Sequence, residues 1–326
     1  MRKQEISLEC YKFLRTIFFK LFGRIWRKFE PPFIRDVSYG TNFPDKHFLV
    51  IRRNDSIGGL FSFVLASLGW IKYAFDKGMI PIVDMQSHLN IYLKWSEIFR
   101  VNAWEYFFEQ PSGYSLKDIR KAKNVTVIDG YVPVARSFPA DFLNIAEHEH
   151  VYLATWRCLY NTYIKVKPNL LINRDNAAFE ACINNGVIGV LARGTDYAKE
   201  HPSGHPIQPT ATLLIDKVNE LLKGKFSGYK VYLVTEDAFM VQSFQKAFEE
   251  KLILSYQDTI DYKEGLLVDC LGMRHNIERG IRYLKAIYDL SRCQCLVAGR
   301  TCGSIGAVLG AHESQYRYIF DLGTYP

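Results

Sequence analysis

The segment Arg193-Gly194-Thr195-Asp196 follows an apolar run and contains residue types that bind phosphate groups. An arginine just beyond a buried strand presents a planar guanidinium group that fits phosphate oxygens. Asp196 can hold that arginine or act on an acceptor group. A structural ion pair between Arg193 and Asp196 is the alternative interpretation. The segment alone therefore predicts either a phosphate-binding arginine or a loop closed by an ion pair.

A proline-rich loop, residues 199–209, follows this segment and contains groups that can exchange protons. Its three prolines and one glycine restrict the shape of the backbone. Glu200, His201 and His205 are candidate acid–base or binding groups. Alternatively, His201 and His205 are ordinary solvated surface histidines, and their presence in one loop does not by itself predict a catalytic pair.

Three further loops have polar residues at the end of a predicted strand, and each has a structural alternative. Gly58-Gly59 opens a helix, where the backbone can approach an anion, although glycine is also common helix punctuation. Thr235-Glu236-Asp237 can bind ribose hydroxyls or a base edge, or cap the next helix. Hydroxyl groups and a glycine in residues 300–304 can form a nest for an anion beside Arg300. The candidate ligand-binding residues are Gly58, Gly59, Arg193, Thr235, Glu236, Asp237, Arg300, Thr301, Gly303 and Ser304.

Alternating apolar runs and helical patterns place these loops at one end of buried strands. Strands are predicted at residues 48–51, 80–84, 124–129, 186–191, 230–234, 252–255 and 295–299. Helices are predicted at residues 60–75, 210–222, 240–250, 280–290 and 303–310. Strands that alternate with helices form parallel sheets buried on both faces. Ligands bind beyond the carboxyl ends of such strands, so we expect the polar loops to converge on one cleft.

Length and composition indicate a globular chain of two α/β domains. The chain has 326 residues, of which 48% are apolar and 23% charged. We predict one domain at residues 31–167 and a second at residues 168–326, joined at Lys167-Pro168. Residues 1–30 form a basic amphipathic segment. That segment can lie on an anionic membrane surface or dock on the protein's own core.

Charge and cysteine usage indicate the cellular setting. The net charge of +7 favours anionic partners such as phosphates or acidic lipids. The seven cysteines are scattered without zinc-site spacing, which is typical of reduced thiols in the cytoplasm. No apolar run reaches the roughly 18–20 residues of a membrane-spanning helix. We therefore expect a cytoplasmic protein with a possible peripheral contact at the inner face of the cell membrane.

The order and content of the loops resemble the GT-B fucosyltransferase superfamily, which includes nodulation-factor, core α-1,6- and protein O-fucosyltransferases. Residues 191–196 are similar to a strand-end motif whose arginine, here Arg193, contacts the donor pyrophosphate. Leu191 stands where that motif commonly has histidine, and Gly194 stands where it has a second arginine. The other three loops resemble the acidic strand end, the hydroxyl-rich phosphate loop and the glycine-rich loop facing the donor.

A second likeness is to bacterial chains associated with surface-polysaccharide synthesis. It is carried by the Arg-Gly-Thr-Asp-Tyr sequence at residues 193–197, by residues 205–209 and by residues 103–108. Together the resemblances cover the chain from about Phe48 to its C-terminus.

The resemblance implies two Rossmann-like domains whose parallel sheets face a central cleft. It assigns the acceptor to residues 31–167 and the nucleotide-sugar donor to residues 168–326. It also implies inverting, metal-independent transfer of a sugar, with GDP-fucose as donor and a bacterial surface or capsular glycan as acceptor. The basic segment at residues 1–30 adds the hypothesis that this glycan is carried on a lipid at the membrane. Arg193 would neutralise the leaving pyrophosphate. Asp196, Glu200 and His205 are the candidate general bases. No cofactor, metal or nucleic-acid partner is expected.

Two other classes of function are alternatives to a sugar transferase. A non-catalytic nucleotide-sugar or glycan-binding module would use the same loops without turnover. A kinase or phosphate-ester hydrolase is disfavoured because the sequence has no Walker A lysine loop and no metal-ligand cluster.

Overall fold

The computed structural model describes residues 34–55, 58–88, 90–97, 99–130, 134–172, 176–194, 197, 200–255 and 276–326. The predicted basic segment 1–30 lies outside the described residues, as do Thr195 and Asp196.

The first half of the chain forms a four-stranded sheet in the order β1-β4-β2-β3. Strand β2 pairs in parallel with both β3 and β4. Strand β1 lies at the edge of the sheet and pairs antiparallel with β4. The sequence pattern did not predict β1. The strands are β1 (Ile34–Val37), β2 (Asn42–Arg52), β3 (Ile80–Asp84) and β4 (Ala122–Ile128). The helices of this half are α1 (Leu60–Asp76), α2 (Trp104–Phe107), α3 (Leu116–Ile119), α4 (Phe142–His148) and α5 (His150–Tyr163).

The second half of β2 explains why residues 48–51 are a continuous apolar run. Phe48 and Val50 pack on one face of the sheet in a small cluster with Ile119 of α3. Leu49 and Ile51 point to the other face, into the large cluster that contains helix α1. Because both faces are covered, every residue of this stretch is apolar.

The second half forms a five-stranded sheet in the order β7-β6-β5-β8-β9, and all of its pairs are parallel. From β5 the chain runs outward to β6 and β7, then returns past β5 to build β8 and β9. The strand order therefore reverses between β5 and β8, and such a reversal opens a crevice at the carboxyl ends of the two strands. The predicted α/β fold with parallel sheets is confirmed.

The strands of this half are β5 (Val187–Leu191), β6 (Lys230–Val234), β7 (Leu252–Leu254), β8 (Cys295–Gly299) and β9 (Tyr316–Phe320). Its helices are α6 (Pro168–Ile172), α7 (Ala177–Cys182), α8 (Ala211–Lys223), α9 (Ala238–Phe248), α10 (Asn276–Arg292) and α11 (Cys302–Gly310). Single 3-10 turns span Trp95–Glu97, Val134–Arg136, Ile183–Asn185 and Glu249–Lys251.

The two halves share one hydrophobic cluster, which includes side chains of α1, α10 and α11. Phe61, in the first turn of α1, lies over Gly306 of α11, where an added Cβ would be 2.2 Å from the phenyl ring. The same ring packs edge-on against Tyr283 of α10, with centroids 5.8 Å apart. Since α1 follows β2 and α11 follows β8, this contact brings the carboxyl edges of the two sheets together.

We expect Gly306→Ala to lower the free energy of unfolding by about 1–3 kcal/mol, because the added methyl group overlaps the Phe61 ring. Denaturant titration would measure the change. In a Phe61→Leu background the ring is gone, so the same alanine should cost less. An equal cost in both backgrounds would contradict this account of the interface.

Candidate functional site

Arg193 lies at the carboxyl end of β5 and is held by a carboxylate from the next strand. Its Nη1 is 3.4 Å from Oε2 of Glu236, which follows β6. Gly194 allows the two loops to approach, since a Cβ there would be 3.0 Å from Cβ of Asp237. The loops after β5 and β6 therefore form one wall of the crevice, as the sequence predicted.

Glu236 also binds a second arginine, Arg279, which the sequence analysis missed. Arg279 Nε donates to Glu236 Oε1 at 3.1 Å, and Arg279 Nη2 is 2.8 Å from the same oxygen. Glu236 therefore bridges two guanidinium groups, one on each oxygen. The sequence shows only an arginine near the start of an amphipathic helix in the second half of the chain. That pattern does not identify Glu236 as the partner of Arg279.

His205 is linked to Arg193 through Tyr197. The guanidinium carbon of Arg193 lies 4.8 Å from the centre of the Tyr197 ring. The Tyr197 hydroxyl group is 3.2 Å from Nδ1 of His205, within hydrogen-bond distance. Glu200 is exposed on the same loop. His205, one of the candidate bases, is thus connected to Arg193 through Tyr197.

The loop that carries His205 is held by the last residues of the chain. Gly204 N donates to the Tyr325 carbonyl at 3.0 Å, and Tyr325 N donates to the His205 carbonyl at 2.9 Å. The Tyr325 ring stacks on His201, with centroids 4.9 Å apart. His201 has a positive φ of 44°, which is uncommon for a residue other than glycine. This pairing could not be predicted from the sequence, because it joins segments far apart in the chain.

Thr235 and Asp237 are buried at the start of α9, where Asp237 is the N-cap and Thr235 supports it. Asp237 Oδ1 accepts hydrogen bonds from the backbone N–H groups of Phe239 at 2.7 Å and Met240 at 3.3 Å, at the start of α9. Thr235 Oγ1 accepts from Asp237 N at 3.2 Å. The capping alternative therefore describes these two residues, whereas Glu236 between them faces the arginines.

Thr301 and Ser304 form a reciprocal cap at the start of α11. Ser304 N donates to Thr301 Oγ1 at 3.0 Å, and Thr301 N donates to Ser304 Oγ at 2.9 Å. Ser304 is fully buried, so its hydroxyl group is occupied by the cap. Gly303 sits against Tyr283, because a Cβ there would be 2.0 Å from the tyrosine hydroxyl oxygen. The helix start of the predicted anion nest is therefore in place, but its two hydroxyl groups are used to stabilise the helix.

Arg300 connects parts of the chain on both sides of the crevice. Its Nη2 donates to Asn144 Oδ1 of α4 at 2.6 Å, and its Nη1 is 2.8 Å from Asp321 Oδ2. The Arg300 carbonyl accepts from the buried Gln208 side chain at 3.0 Å. Arg300 thus contacts α4 of the first half, Asp321 after β9 and Gln208 of the loop that carries His205.

The loop after β2 faces the start of α11 from the first half. Asp55 and Arg53 form a buried ion pair of 2.6 Å, and Gly58 leaves room for it, because a Cβ there would be 2.5 Å from Asp55 Oδ2. Burial raises the pKa of the Cys302 thiol to about 11, while the positive charge of Arg53 opposes that rise. Gly59 has open space around it. Both predicted glycines therefore belong to a loop at the crevice.

A charged network closes the carboxyl edge of the first sheet. Asp129 is buried, and its oxygens lie 2.9 Å from Arg52 Nη1 and 2.7 Å from His88 Nε2. Arg52 also donates to the buried Asp84 at 2.8 Å. Burial alone would raise the pKa of Asp129, but the hydrogen bond to His88 and the charge of Arg52 lower it to about 2. The network ties together the ends of β2, β3 and β4.

The described ranges contain neither a membrane-spanning helix nor a metal-binding cluster. No helix there is both long and apolar enough to cross a membrane. No group of three or more histidine, cysteine, aspartate or glutamate residues in those ranges is placed to hold a metal ion.

Comparison with known proteins gives likeness at the level of structure only. No protein-family model matches the chain, and no curated protein sequence matches it. The fucosyltransferase NodZ from Bradyrhizobium has 18% sequence identity, covering 86% of this chain and 97% of its own, with a TM-score of 0.48. NodZ α-1,6-fucosyltransferase soaked with GDP-fucose gives 19% identity, 82% and 93% coverage and a TM-score of 0.45. A mutant of Arabidopsis thaliana FUT1 in complex with GDP gives 12% identity, 83% and 72% coverage and a TM-score of 0.44.

We expect Thr301→Ala to lower the free energy of unfolding by about 0.5–2 kcal/mol, because it removes the cap of α11. Thr301→Ser keeps the hydroxyl group and should stay close to the wild type. Thermal or denaturant unfolding of both variants measures the difference. Equal stability of the alanine and serine variants would show that the hydroxyl group does not act as a cap.

Protonation of Asp129 should lower the free energy of unfolding in acid. Its pKa is depressed in the folded state, so its stabilising effect is present above its unfolded pKa and is lost as pH falls towards 2. We expect the wild type to lose about 2 kcal/mol more than Asp129→Asn between pH 5 and pH 2. Denaturant unfolding at a series of pH values measures this, and identical pH profiles for the two proteins would contradict it.

Proposed function

We propose that this chain is an inverting glycosyltransferase that takes a sugar from a nucleotide-sugar donor bound at the carboxyl edge of the second sheet. The observation that carries the proposal is Arg193, partly exposed beside the β5/β8 crevice, fixed by Glu236 and connected through Tyr197 to His205. A cation for the leaving group and a proton acceptor thus lie on one continuous chain of contacts.

In this mechanism an acceptor hydroxyl oxygen attacks the anomeric carbon of the donor sugar from the face opposite the diphosphate. The bond between that carbon and the diphosphate oxygen breaks, and its electron pair leaves with the nucleotide. Arg193 stabilises the negative charge that develops on the leaving diphosphate. The acceptor proton passes to a general base.

We assign that base to His205 ahead of Glu200 and Asp196. The hydrogen bond between Tyr197 and Nδ1 fixes the orientation of the imidazole ring, and the side chain is exposed. Orientation of a base by a third group is a common arrangement in enzymes that activate a hydroxyl group.

For the donor we propose GDP-fucose, and for the acceptor a lipid-linked bacterial surface or capsular glycan. The donor is supported by the motif around Arg193 and by the solved structures of similar fold, some of which were obtained with GDP-fucose or GDP. The acceptor rests on the likeness of residues 193–197 and 205–209 to chains of surface-polysaccharide synthesis. The positive net charge of the chain is compatible with an anionic lipid carrier.

A thermal-shift panel of nucleoside diphosphates and their sugars tests the donor site. We expect GDP and GDP-fucose to raise the melting temperature of the wild type but not of Arg193→Ala, because the mutant lacks the phosphate contact. The exposed Arg120 on the first half provides a matched control, and Arg120→Ala should respond like the wild type. No shift with any nucleotide would contradict the proposal.

Turnover separates an enzyme from a binding module. Incubation with radiolabelled GDP-fucose and a bacterial lipid extract should release GDP and move the label into the lipid fraction. Nucleotide binding without either product would favour the non-catalytic module instead.

A further inference from the structure

We propose that Arg279 is a second diphosphate-binding residue and that Glu236 positions Arg193 and Arg279 side by side, so that the site selects nucleoside diphosphates over monophosphates. This inference rests on the proposed nucleotide site and adds a specificity-determining pair to it. The sequence motif around Arg193 supplies one arginine, and the adjacent Gly194 has no room for a side chain without displacing Asp237.

The geometry of Glu236 is that of a bridge. Oε2 lies 3.4 Å from Arg193 Nη1, and Oε1 lies 2.8 Å from Arg279 Nη2. The Arg193 and Arg279 side chains are 29% and 20% exposed. They are therefore withdrawn enough from water for their charge to matter and still open enough to meet a ligand. Two guanidinium groups held on one carboxylate provide neighbouring forks for two neighbouring phosphate groups.

The position of Arg279 on its helix is unfavourable without an anion. It lies in the first turn of the 17-residue helix α10, where the helix dipole disfavours a positive charge. Glu236 offsets part of this cost. A bound diphosphate would offset more, and the start of α11 adds a second helix N-terminus on the same side of the crevice. Departures from local preference of this kind are concentrated at functional sites.

The backbone around Arg279 is held firmly against the first half of the chain. A Cβ on the following residue, Gly280, would lie 2.8 Å from the Phe107 ring and 3.0 Å from the Tyr92 ring. One turn further on, Tyr283 lies against Gly303 at the start of α11. Arg279 is thus anchored on a rigid surface between Glu236 and the loop after β8, which suits precise contact with a phosphate group.

The effect of Glu236→Gln on GDP binding distinguishes a positioning role from simple electrostatics, because the two accounts predict changes of opposite sign. Removing the negative charge of Glu236 should strengthen anion binding if charge alone matters. If Glu236 positions the two arginines, Glu236→Gln should weaken GDP binding instead.

Calorimetric titration of the full chain with GDP and with GMP tests the inference. We expect the wild type to bind GDP at least about tenfold more tightly than GMP, and Arg279→Ala to lose most of that preference. Glu236→Gln should lose it too, while Arg279→Lys, which keeps the charge but not the fork, should fall between. Arg282→Ala, a matched change one turn along α10 where Arg282 pairs with Glu278, should keep the wild-type preference.

The outcomes of this experiment separate the inference from the proposed function. The GDP-to-GMP ratio is taken on one protein preparation, so a partly unfolded variant does not distort it. An unchanged ratio in Arg279→Ala, or stronger GDP binding by Glu236→Gln, would overturn the inference while leaving the nucleotide site intact. Failure of the wild type to bind GDP would instead overturn the donor assignment itself.

Discussion

The structure depends on the contact between Phe61 and Gly306. Because α11 has no side chain at that point, the ring of Phe61 lies directly on its backbone and reaches Tyr283 of α10. This packing fixes the first turn of α1 against α11, and with it the distance between the carboxyl edges of the two sheets. The loops after β2 and β8 face each other for this reason, and Arg300 adds a polar fastening to Asn144 on the same border.

At the carboxyl end of β5, one carboxylate, that of Glu236, brings two arginines together. Glu236 holds arginines from two elements, β5 and α10, that are not neighbours in sequence. Its flanking residues, Thr235 and Asp237, belong to the start of α9, whereas Glu236 faces the two arginines. A similar division holds after β8, where Thr301 and Ser304 serve the helix.

Much of this architecture was predictable from sequence, and the gaps have physical causes. Buried strands such as β5 and β8 are continuous apolar runs, so their positions and the polar loops after them could be predicted. Strands β1 and β9 are sheet edges with partly exposed residues, so their apolar signal is weak. Arg279 could not be assigned because its partner lies 43 residues away, and only tertiary packing brings the two together.

The pairing of the tail with the His205 loop also bears on the order in which the site forms. Backbone hydrogen bonds join the His205 loop to residues 323–325, which lie more than a hundred positions further along the chain. Contacts of such long range form late in folding, since they require closure of a large loop. During synthesis the second sheet can assemble around β5 and β6 while His205 still lacks its supports. The His205 loop therefore reaches its final shape only after residues 323–325 have left the ribosome and joined it.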